Sequence, residues 1–138
     1  MIDLDAIARN VRTIADRVAP AEVMAVVKAD GYGHGAVEAA RAALAGGATG
    51  LGVADLDEAL ALRSAGIDAP ILAWLHDPDA DFAGAVAARV ELGISNLAQL
   101  ERAASAVHGG PARVHLSMSH DAGIASAFVV LEADRSAE

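Results

Sequence analysis

The chain has 138 residues, a formal net charge of -9, no cysteine and 54% hydrophobic residues. That length suits one ordinary domain, and so much apolar content excludes intrinsic disorder, which needs low hydrophobicity with high net charge. The missing cysteines exclude a disulfide scaffold and thiolate metal sites. The acidic balance argues against a nucleic-acid groove, and no apolar run reaches the ~18–20 residues of a membrane span.

The first helix is predicted through AIARNVRTIADRVA, capped by Asp5, with Ile7, Val11, Ile14 and Val18 on one buried face and Pro20 ending it. Val23 to Val27 is an apolar run without alternation, as expected of a strand buried on both faces. A glycine-rich turn, ADGYGHG, follows it. AVEAARAALAGG then reads as a helix closed by Gly46 and Gly47. Gly50 to Ala54 is the second strand. Asp55 caps the next helix, with Glu58 placed for a capping box and Gly66 as the stop.

Pro70 opens a third strand, PILAWL, and HDPDADF leads into a helix near 80–88. Val90 to Ile94 is the fourth strand. Ser95 caps NLAQLERAASAVHGG, a helix stopped by Gly109 and Gly110. PARVHL, from Pro111 to Leu116, is the fifth strand, and AFVVLEA beyond it suits a strand or a helix. Strands alternating with helices imply an α/β fold with a parallel sheet, because parallel neighbours need crossover connections. Two architectures fit: an open doubly wound sheet, or about five β/α units of a TIM-type (β/α)8 barrel, which in full takes about 250 residues.

In both architectures ligands meet the C-terminal ends of the strands. Lys28 stands at such an end, directly before the glycine turn. It is the only lysine beside nine arginines, in a chain with 35 alanines. An amine in an apolar setting suits Schiff-base chemistry, because burial favours its neutral, nucleophilic form. A phosphate loop fits poorly: GxxxxGK[ST] is absent and Lys28 precedes the glycines. His34 reads as a buried structural histidine and Trp74 as packing against the sheet. His76 with Asp77, Asp79 and Asp81 reads as a solvated acidic loop before a metal site; no metal ligands are assigned. Asp55, Asp57 and Glu58 read as helix-start capping.

The string VVKADGYGHGA resembles the cofactor-lysine motif of bacterial alanine racemases. The likeness extends to DLDAIARNVR before it and LGVADLDEALALRSAGIDAPILAWL after it. This resemblance implies a partial barrel of the alanine racemase N-terminal type over residues 1–116, with a divergent tail at 117–138. It implies pyridoxal 5'-phosphate (PLP) as cofactor, held as an aldimine on Lys28, with Lys28 also serving as one acid/base group. It assigns Tyr32 to the cofactor phosphate. It further implies interconversion of L- and D-alanine for peptidoglycan supply, a cytoplasmic location and a homodimer, with no nucleic-acid or membrane partner. The family's second base is a tyrosine of a C-terminal domain in the partner subunit, and Tyr32 is this chain's only tyrosine. After Leu116 the likeness stops: Ser117 and Ser119 stand where the family carries lysine and aspartate. A truncated, weakly active or inactive form is therefore expected. The alternatives are a PLP-binding or regulatory protein without racemisation, and a remnant that binds no cofactor.

Overall fold

The computed structural model describes residues 1–77, 79–107, 112–121 and 124–133, the last two stretches by their backbone. The elements run α1 (Leu4–Val18), β1 (Met24–Val26), α2 (Lys28–Gly33), α3 (Ala36–Ala45), β2 (Gly50–Val53), α4 (Leu56–Ser64), β3 (Ile71–Ala73), α5 (Phe82–Ala87), β4 (Val90–Ile94), α6 (Leu97–Ala106), β5 (Ala112–Asp121) and β6 (Ile124–Ala133). One sheet has the order β1-β2-β3-β4-β6-β5. β1 to β4 pair in parallel, as the β/α alternation requires.

The register explains the core. Leu51 lies beside Ile71 and Ile71 beside Val90; Val53 lies beside Ala73 and Ala73 beside Leu92. These two rows are buried. They join Ala40, Leu56, Ala59, Leu62, Phe82, Ala85 and Ala103 of the covering helices in one cluster. Alanine on the helices lets them come close to the sheet, which is one use of so much alanine. The opposite row runs Val26, Gly52, Leu72 and Glu91. Here β1 departs from the expected double burial: Met24 is 43% exposed and Val26 41%. β1 is an edge strand, and helices cover only one of its faces.

Two helix caps are displaced by a residue or two from their expected positions. Asp3, not Asp5, caps α1, its Oδ1 accepting from Ala6 N at 2.9 Å. Asn96, not Ser95, caps α6, its Oδ1 accepting from Gln99 N at 2.9 Å, while Gln99 Oε1 accepts from Ser95 N at 2.9 Å. In both cases the residue three before a free amide takes the role. Gly46 is the C-cap of α3. Gly66, with φ at 79°, follows the α4 cap as expected of a helix stop. The Gly109–Gly110 stop and Pro111 lie outside the described residues.

The fifth strand departs from the parallel expectation. β5 and β6 form an antiparallel hairpin, and β6, not β5, pairs with β4, also antiparallel. Only two residues separate β5 from β6, a spacing that joins antiparallel neighbours. The segment AFVVLEA is thus strand. The four parallel strands with their helices are those of a partial TIM-type barrel. Among the described residues, no helix is long and apolar enough to cross a membrane.

Candidate functional site

Parallel β1 to β4 bring their C-terminal ends to one end of the sheet. Lys28 follows β1 there, Ala54 and Asp55 follow β2, Trp74 to His76 follow β3, and Ser95 follows β4. This is the end at which α/β sheets bind ligands.

Lys28 is half-buried. Directly after it the chain turns left-handed over four residues: Ala29, Asp30, Gly31 and Tyr32 have φ of 53°, 53°, 63° and 57°, with ψ between 36° and 51°. Three of the four are L residues for which this conformation costs roughly 1–2 kcal/mol each. The surroundings hold it. Gly31 N donates to Val27 O at 2.9 Å, and Gly35 N to Asp30 O at 2.9 Å. Asp30 Oδ1 accepts from Ala36 N at 2.9 Å and so caps α3. Gly31 is buried where a Cβ would stand 3.1 Å from Ala39 Cβ and 3.4 Å from Ala36 Cα, so the turn seats tightly on α3. Gly33 has open space on its Cβ side. Tyr32, within the turn, is 61% exposed.

Glu58 is the residue that sequence reasoning placed only in part. Asp55 caps α4 as expected, its Oδ1 accepting from Glu58 N at 2.9 Å. The Glu58 carboxylate does not close the box on Asp55. Its Oε1 accepts from Ala29 N at 2.6 Å and its Oε2 from Ala54 N at 2.8 Å. Nothing local in the sequence marks the first contact, which spans 29 residues.

His34 is exposed, not buried; the left-handed turn carries it outward. Trp74 packs on the sheet as expected: a Cβ at Gly52 would meet its ring at 2.7 Å. Asp81 caps α5, its Oδ1 accepting from Gly84 N at 2.9 Å. A surface groove beside it is lined by Asp79, Phe82, Glu101 and Arg102 and includes none of the Lys28 turn.

His76 lies with its ring edge-on to Phe82, centroids 5.3 Å apart, and neither ring nitrogen has a hydrogen-bond partner. Burial pushes its pKa below the ordinary histidine value, against the opposing pull of the Gly93 and Ala73 carbonyls and the Asp55 charge. The folded ring therefore takes up its proton at lower pH than the unfolded chain, which does so near pH ~6.5. Stability is therefore whole above about pH 6.5 and falls as pH drops toward the lowered folded value. Urea midpoints compared at pH 7.5 and 5.5 are expected to drop more in the parent than in His76→Phe. Equal drops would show that the ring does not contribute.

The family model described as "Alanine racemase, N-terminal domain" matches residues 2–124. The alanine racemase of Mycobacterium avium (strain 104) is 53% identical over 124 residues, which are 90% of this chain and 32% of that protein. That of Mycolicibacterium smegmatis is 58% identical over 106 residues, 77% of this chain and 27% of that protein. Among solved structures, alanine racemase from Streptomyces coelicolor A3(2) superposes with a TM-score of 0.73 at 47% identity, covering 76% of this chain and 28% of that one. The enzyme of the D-cycloserine producer Streptomyces lavendulae gives 0.74 at 43% identity over the same shares. The chain spans about a third of the length of the curated relatives it matches.

Proposed function

The chain belongs to the alanine racemase N-terminal domain family, and from that premise we propose that it carries the lysine half of a PLP site serving alanine racemisation. In this reading Lys28 is the catalytic residue. Its Nζ would hold the cofactor, and the same amine would hold or take up the α-proton on one face of the substrate. The Tyr32 hydroxyl would hydrogen-bond the cofactor phosphate. The substrate is a small amino acid, alanine, and the product supplies D-alanine for peptidoglycan in the cytoplasm. The complete enzyme works as a homodimer.

One observation carries the reading: the only lysine of the chain stands at the C-terminal end of β1, directly before a left-handed turn that carries the sole tyrosine, exposed to solvent. These residues fit the two ends of the cofactor. A half-buried amine suits its aldehyde, and an exposed phenol suits its phosphate. When bound, the cofactor supplies an electron sink that makes the α-proton of an amino acid acidic. The chain's own residues orient it and move that proton.

Racemisation needs a proton donor or acceptor on each face of the planar centre, and Lys28 serves one. Tyr32 is taken by the phosphate and no other tyrosine is present in these residues. That favours a second reading for the chain alone, in which it binds the cofactor without racemising.

Purified chain mixed with PLP is expected to gain an absorbance band that borohydride converts to a stable adduct on Lys28. Lys28→Ala is expected to gain none. Identical labelling of parent and variant would overturn the assignment. With an adduct in hand, conversion of L- to D-alanine separates the two readings.

A further inference from the structure

We propose that Glu58 is a positioning residue for Lys28: its carboxylate grips the amide that follows the lysine and fixes the direction in which Lys28 leaves β1. This rests on the reading of Lys28 as the cofactor lysine. The peptide between Lys28 and Ala29 is planar, so fixing the Ala29 N–H fixes the plane that carries the Lys28 carbonyl. Ala29 begins the left-handed turn, at φ 53°, and its amide proton goes to Glu58 Oε1 at 2.6 Å. The other oxygen, Oε2, accepts from Ala54 N at 2.8 Å, at the end of β2. Ala54 O in turn accepts from Leu75 N at 2.7 Å, just past β3. One half-buried carboxylate thus joins the ends of β1 and β2, and through Ala54 the end of β3. Both accepted bonds are charge-assisted, which makes them stronger than neutral ones. Residues that merely cap α4 need none of this; Asp55 does that work by itself.

The test uses the full chain as parent, Glu58→Ala, Glu58→Gln and Asp55→Ala, with Lys28→Ala as blank. PLP is the first probe. The Lys28 amine adds to its aldehyde, a C=N bond forms and water leaves; borohydride then delivers hydride to carbon and fixes the adduct for peptide mapping. Acetic anhydride is the second probe: it acetylates amines with loss of acetate and needs no cofactor site. Because Lys28 is the only lysine, the mapped side-chain product reports on one amine.

Glu58→Ala is expected to raise the PLP concentration for half-maximal adduct about tenfold, which corresponds to one charged hydrogen bond. It is also expected to move the pH profile of Lys28 acetylation. Glu58→Gln, which keeps one acceptor oxygen, should recover part of the loss and stay about threefold weaker than the parent. Asp55→Ala, which removes the α4 cap alone, should stay within about twofold on both probes. If Glu58→Ala does not fold, Glu58→Gln decides: a shift of about threefold supports the role, and parent-like behaviour overturns it. A Glu58 effect matched by Asp55→Ala would also overturn it, as the mark of a structural cap. If the parent yields no Lys28-dependent PLP adduct, the cofactor reading fails on its own. The acetylation profiles then decide Glu58, and identical profiles in parent and Glu58 variants overturn the inference.

Discussion

Arg63→Ala is expected to destabilise the chain by about 3 kcal/mol, measured as a fall in the urea midpoint without a change in slope. The figure follows from what the side chain holds. From α4, Arg63 Nε donates to Ala88 O at 2.8 Å and Nη2 to Arg89 O at 2.8 Å. Nη1 donates to Ile67 O and Ala69 O, both at 2.7 Å. One planar guanidinium thereby ties the end of α4, the approach to β3 and the end of α5. Arg89 sits at φ 56°, a left-handed conformation that helix ends usually give to glycine. Each carbonyl that loses a charged donor costs ~1–3 kcal/mol when water cannot replace it, and partial exposure reduces the sum to the lower figure. Arg63→Lys is expected to recover less than half, because an ammonium cannot span four acceptors with the geometry of a fork. A loss under about 1 kcal/mol would mean that water or neighbouring groups satisfy these carbonyls as well.

Arg63 also shows where reading from sequence reaches its limit. Its place on a helix was legible; its role was not, because the backbone oxygens it holds lie on segments that periodicity does not relate. The parallel strands were legible for the opposite reason. Runs such as GLGV and VELGI, set between helices, can bury both faces only in a β/α layer, and β2 to β4 emerged within a residue or two. The fifth strand failed because local pattern names a strand but not its neighbour, and β6 took the place beside β4. Lys28 at the mouth of β1 followed from the strand alone. The left-handed turn after it did not, since Ala29, Asp30 and Tyr32 carry no mark of positive φ. Glu58 was half-legible: capping chemistry predicted its place in the first turn, while its bond to Ala29 depends on tertiary approach.

Gly46→Ala is expected to cost about 2 kcal/mol, although alanine would ordinarily help at that position. Gly46 has φ -77° and ψ -10°, a conformation that any L residue adopts. An added side chain should therefore gain a few tenths of a kcal/mol by restricting the unfolded chain. Sterics reverse the sign. A Cβ there would stand 2.5 Å from Ala8 O, 2.9 Å from Val11 Cβ and 3.1 Å from Ala8 C. Two of these three atoms are backbone of α1, so no rotamer change relieves them, and Val11→Ala in the same chain should recover little. The helix itself must move. α1 has no fully buried residue, and Arg12 Nη2 to Ala45 O at 3.1 Å is one of its ties to α3. The loss should therefore appear first as faster amide exchange in α1, ahead of the strands. Gly47→Ala is the informative partner. Its Cβ would meet only Ala15 Cβ at an ordinary 3.7 Å, but its φ is +106°. It should lose about 1 kcal/mol through backbone strain, with no selective loosening of α1. A Gly46→Ala chain as stable as the parent, with α1 equally protected, would show that α1 does not seat on the end of α3.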